Sequence, residues 1–147
     1  MEVGDELPGA VEPSEWFVVF HVKSMSRILS LLAFGRFKHV SALGYCPGFR
    51  AWLLYDAQWG GMRVRLYSHE TMRAMFAEYS RGCAVVKIAR LNQPMRLSSR
   101  LGFYCVPAIK HLLGLRNGAL RPDALLRHCL RNGGVLIDAG IEPSNPG

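Results

Sequence analysis

The feature that most constrains this chain is a succession of three short β-rich segments joined by turns too brief to hold a crossover. Lys38–Tyr45, Arg50–Asp56 and Met62–Tyr67 are rich in β-branched, aromatic and aliphatic residues, and Cys46-Pro47-Gly48 and Trp59-Gly60-Gly61 interrupt them. Proline and glycine punctuate strands, and a connection of a few residues can only reverse the chain, so the three segments are predicted as antiparallel neighbours. The third alternates apolar and basic residues, which puts Arg63 and Arg65 on one face, turned to solvent or to a ligand.

Around this meander the pattern switches repeatedly between strand and helix. Trp16–Val22 is almost wholly apolar, as expected of a central strand covered on both faces. Ser24 or Ser26 can cap a helix whose apolar residues, Ile28 to Phe34, recur at helical spacing up to Gly35. Ser68 and Thr71 can cap another that runs to about Tyr79, and Cys83–Ala89 reads as a further strand. Arg90–Phe103 has no period and is expected to be a long loop. It leads into a helix over Tyr104–Leu113 that stops at Gly114. Pro122 and Asp123 suit the first turn of a last helix, which ends at Gly133-Gly134 before a short strand, Val135–Ile137. The expected fold is α+β, with a central, mostly antiparallel sheet flanked by three to four helices.

At 147 residues, half of them hydrophobic, the chain suits a single domain with a real core. That domain is expected to span residues 15–138, between an acidic, flexible arm (residues 1–14) and a flexible tail (residues 139–147), both broken by Gly and Pro. The longest apolar runs fall short of the roughly 20 residues that cross a bilayer. The acidic start lacks the positive flank of a secretory signal, so the expected location is cytoplasmic.

Cys46, Cys83, Cys105 and Cys129 include no Cys-x-x-Cys pair, which argues against a zinc site, and neither metal nor cofactor is expected. All eighteen Lys and Arg lie between Lys23 and Arg131, whereas five of the eleven acids lie in the terminal segments. The domain is therefore more basic than the overall +7 indicates, which favours anionic partners such as nucleic acid or an acidic protein.

Among the cysteines, Cys105 stands apart because it opens a helix after an irregular loop. Unpaired amides and the helix dipole at such an end stabilise a thiolate, and the same N–H groups can receive an oxyanion. His39 lies on one strand of the meander and Asp56 on the next. If those strands are neighbours, the carboxylate can orient the imidazole. Each residue taken singly also has an ordinary reading: Cys105 as a core thiol, His39 as a half-buried strand residue, Asp56 as a turn residue. The other histidines fit less well. His111 falls on another face of the Cys105 helix, His128 points away from Cys129, His69 reads as a surface residue, and His21 as a satisfied core histidine.

The order His39 on a strand, Asp56 on the next and Cys105 at a downstream helix start resembles circularly permuted papain-like or NlpC/P60-like cysteine hydrolases, over roughly residues 16–137. The resemblance implies Cys105 as nucleophile, His39 as general base and Asp56 as the group that holds the imidazole. The implied substrate is a peptide, amide, thioester or ester, with Arg63, Arg65 and Trp59 in substrate or anion binding. Where these enzymes often carry a Gln ahead of the Cys, this loop offers Gln93, Ser98 and Ser99. Tyr104 and Val106 replace the usual small neighbours. Two rival expectations are a nucleic-acid-binding protein, from the Arg-rich and aromatic middle of the chain, and a structural or accessory protein of a phage particle.

Overall fold

The computed structural model describes residues 12–13, 15–22, 35–58, 61–91, 104–116 and 118–137. Within them lie six strands, β1 (Glu15–His21), β2 (His39–Cys46), β3 (Ala51–Gln58), β4 (Gly61–Ser68), β5 (Ala84–Ala89) and β6 (Val135–Ile137). Three α-helices accompany them, α1 (His69–Tyr79), α2 (Cys105–Leu113) and α3 (Pro122–Arg131). The strands form one open sheet in the order β4-β3-β2-β1-β5-β6, and every neighbouring pair is antiparallel. The fold is thus α+β. The helix expected between Ser24 and Gly35 and the loop over residues 92–103 lie outside the described residues.

Side-chain alternation divides the core in two. Trp16, Val18 and Phe20 of β1, Val40 and Ala42 of β2, and Val86 and Ile88 of β5 face α2 and α3, where Cys105, Val106, Ile109, Leu125 and Cys129 pack on them. The opposite set, including Phe17, Val19, Leu43, Trp52 and Leu54, meets Met72 and Phe76 of α1. This two-sided burial is why β1 is apolar at every interior position, unlike a strand with one wet face.

Three local features differ from the sequence reading. The turn after β2 is a 3-10 turn, Pro47–Phe49, closed by Arg50 in the left-handed region (φ 47°). In β4 the apolar face is as exposed as the basic one: Leu66 is 70% accessible, because β4 is the sheet edge and no described element covers its outer face. Glu12 and Pro13, assigned to the flexible arm, are instead tied down. Glu12 pairs with Arg90, and Pro13 is buried against Gly44 so closely that an added Cβ there would come within 2.6 Å of it.

The entry to β2 is anchored from the far end of the chain. Asp123 accepts hydrogen bonds from the backbone N–H groups of Arg36 and Phe37 (both 3.2 Å), three and two residues ahead of His39. Gly35, at φ 126°, leaves room for this carboxylate, which a Cβ would strike. Asp123→Ala is expected to strand these donors and lower stability by about 1–3 kcal/mol, read as a lower urea midpoint with an unchanged m-value.

Candidate active site

The pairing of Ala42 with Tyr55 sets Asp56 one step beyond, diagonal to His39 at the first position of β2. At that spacing His39 Nε2 donates to Asp56 Oδ1 at 2.6 Å, with both side chains only 15% exposed. Gln58, two residues along the same strand, donates to Asp56 Oδ2 at 3.2 Å, so both carboxylate oxygens are engaged. The Cys105 thiol, at the first residue of α2, lies close enough to the His39 ring to contribute to its raised pKa. With Nε2 held by Asp56, Nδ1 is the nitrogen left for the sulfur. Cys105, His39 and Asp56 are therefore brought together, from the start of a helix and two adjacent strands.

Burial alone would lower the His39 pKa, but the hydrogen bonds and charges of Asp56 and Cys105 outweigh it and push it up to about 9. Asp56 moves in the complementary direction. Burial would raise its pKa, yet its bonds to His39 and Gln58 hold it below the usual carboxylate range. At neutral pH the pair is an imidazolium and a carboxylate.

A second cysteine–histidine pair lies alongside. His21 of β1 sits directly across from His39, with ring centroids 5.5 Å apart. Its Nε2 bonds Ser41 Oγ at 2.8 Å, Ser41 Oγ bonds the Tyr79 hydroxyl at 2.7 Å, and Cys83 Sγ lies 3.4 Å from His21 Nδ1. Here burial and the neighbouring His39 charge lower the His21 pKa to about 4, and burial raises the Cys83 thiol. His21 is thus the satisfied, neutral histidine that its apolar strand suggests, although its contact with the site is not legible from spacing.

On the α1 side of the sheet a cavity of about 570 Å³ is lined by His39, Asp56, Gln58, Arg63, Arg65 and Tyr79, among others. Trp59 lies outside the described residues. His69 is not the surface residue its position suggested. It is half-buried, receives the Trp52 indole N–H on Nδ1 (3.2 Å) and stacks on that ring, because the edge of the sheet folds α1 back over β3. Several bases of the central segment meet acids: Arg81 with Glu78 at 2.6 Å, Lys87 with Glu15 at 3.0 Å, and Arg90 with Glu12. Among the described residues no cluster of His, Cys, Asp or Glu could hold a metal ion, and no helix is long and apolar enough to cross a membrane.

Compared with known proteins, the chain matches no family model, no curated protein and no solved structure. What the site can do therefore follows from its geometry.

The two histidines make opposite demands on pH. His39 keeps its proton in the folded protein up to about 9 but loses it near 6.5 when unfolded, so its stabilisation is complete below 6.5 and lost as pH rises towards 9. Unfolded His21 takes up a proton below 6.5 and the folded one only near 4, so stability also falls as pH drops through that interval. Urea midpoints should peak near pH 6.5. The decline on each side should be on the order of 1–3 kcal/mol, the alkaline one absent in His39→Gln and the acid one reduced in His21→Phe.

Proposed function

We propose that the protein is a cysteine hydrolase of amide, thioester or ester bonds, acting through Cys105, His39 and Asp56 in a permuted papain-like arrangement. The observation that carries this reading is the position of His39, hydrogen-bonded to Asp56 (2.6 Å) and close enough to the Cys105 thiol for its pKa to be raised by both. Two further features support it. The chain order of strand His, strand Asp and helix-borne Cys is that of the permuted enzymes, and Cys105 and Val106 sit at the first two positions of α2.

The chemistry follows from these positions. An imidazolium on His39 favours the thiolate of Cys105, which attacks the carbonyl carbon of the substrate and forms a C–S bond. The negative charge moves to the carbonyl oxygen. The first intrahelical bond described for α2 runs from Ala108 N–H to Tyr104, and Pro107 has no N–H, so the amides of Cys105 and Val106 have no partner within the helix. They are the natural oxyanion donors. As the tetrahedral intermediate collapses, His39 gives its proton to the departing amine, alcohol or thiol, leaving a thioester on Cys105. Neutral His39 then takes a proton from water, the resulting hydroxide attacks the thioester, and the acid departs as the thiolate and imidazolium are restored. Asp56 stays ionised throughout and holds Nε2–H, so that Nδ1 faces the sulfur.

The nucleic-acid reading draws less support, since Arg81, Lys87 and Arg90 of the basic segment are paired with acids.

Iodoacetamide labelling of the native protein, resolved by cysteine, tests the proposal. Cys105 should label faster than Cys46, Cys83 or Cys129, and His39→Ala should abolish that preference. Equal labelling of all four thiols would refute it. In Asp56→Asn the alkaline limb of the labelling or hydrolysis profile, near pH 9 in the native protein, should move down, because the charge that raises the His39 pKa is gone.

A further inference from the structure

The cavity beside His39 is asymmetric in charge. Register places Arg63 directly opposite Asp56 and Arg65 opposite Leu54, so both arginines share the sheet face that carries His39 and Asp56. Both line the cavity, in which Asp56 is the one carboxylate among the described lining residues. That carboxylate is already engaged by His39 and Gln58. Among the described residues neither guanidinium takes part in a salt bridge. Arg65 lies beside Tyr67, which raises its pKa and lines the same cavity. Leu54 and Met75 supply an apolar stretch of wall next to these charges.

The geometry points to an anion subsite in which Arg63 and Arg65 bind a carboxylate or phosphate carried by the acyl substrate, in the cavity lined by the same His39 that Cys105 approaches. This assignment rests on the hydrolase reading and adds the substrate class to it. Alternate residues of a strand project side by side about 7 Å apart, a separation that two long, flexible arginines can close on one anionic group or divide between two oxygens of a larger one. Charge in the cavity supports the assignment, because His39 is also cationic at neutral pH. A neutral or cationic substrate would leave that positive field uncompensated, and an anionic one would be drawn in and oriented by it.

Arginines on an edge strand can also serve only to keep two sheets from pairing. The test must separate the two roles. Iodoacetate and iodoacetamide deliver nearly the same group to a thiol and differ in charge. The ratio of their rates at Cys105 in the full chain, divided by the ratio for the same thiol in urea, measures the field at the nucleophile. The ratio is expected to fall roughly three- to tenfold in Arg63→Gln/Arg65→Gln, the size that two solvent-exposed charge contacts produce, to be restored in Arg63→Lys/Arg65→Lys, and to fall with added salt. An unchanged ratio in the Gln variant, with Cys105 still preferentially labelled, overturns the subsite and leaves the hydrolase reading standing. Loss of preferential labelling altogether counts against the hydrolase reading instead.

A second measurement is independent of thiol reactivity. N-acetylglycine and phenyl phosphate are titrated into Cys105→Ala while the His39 ring resonances are followed. A shift with either, absent in the variant that also carries both Gln substitutions, supports the subsite, and the tighter binder tells carboxylate from phosphate. No shift with either anion overturns it.

Discussion

Two ionisable side chains, each 85% withdrawn from water, face each other across the β2–β3 ladder, and much of the molecule can be understood from the cost of putting them there. A buried carboxylate or imidazolium without a partner costs several kcal/mol, whereas a well-formed charge-assisted pair offsets most of that. The 2.6 Å bond between His39 and Asp56 is therefore a condition on the register of the sheet as well as a feature of the site. A slip of one residue between β2 and β3 would turn one group to the opposite face and leave the other unpaired. Gln58 closes the remaining carboxylate oxygen, and α2 brings a thiol to the other side of the ring.

The neighbouring pair of His21 and Cys83 makes the electrostatic contrast plain. Both cysteines lie beside a histidine on the same sheet, but among the described residues no carboxylate bonds the His21 ring. Desolvation then prevails, with His21 down to about 4 and the Cys83 thiol raised, the reverse of an ion pair. What distinguishes the two sites is a single aspartate one strand away.

The strands and helices of the described residues were largely legible because their signals are local: period-two alternation in β4, glycine stops at Gly114 and Gly133, and tight turns between β2, β3 and β4. The His39–Asp56 contact was legible for the same reason, since a short turn allows few registers. The position of Cys105 at a helix start was legible, but its approach to His39 could only be argued by resemblance, because some 66 residues separate them in the chain. Nothing local marks the insertion of β1 between β2 and β5, and so the His21, Ser41, Tyr79 and Cys83 network escaped notice. His69 and Pro13 escaped for a related reason. Each looks like a terminal or surface residue until a distant segment folds over it. The bare apolar face of β4 departs from what alternation suggests, because a period of two reports that a strand has two kinds of face and not that either is covered.

The carboxylate of Asp123, reaching back to the backbone at residues 36 and 37, ties the entrance of the histidine strand to the last helix of the fold. Contacts of that sequence separation form only once the intervening chain exists and has closed a very long loop. During synthesis, then, the strand bearing His39 leaves the ribosome long before its anchor does. Histidine, aspartate and thiol all emerge before Asp123, yet the end of the strand that aims the imidazole stays untethered until α3 docks. The order of the residues along the chain thus delays the anchoring of the His39 strand on the nascent polypeptide until the fold is nearly whole.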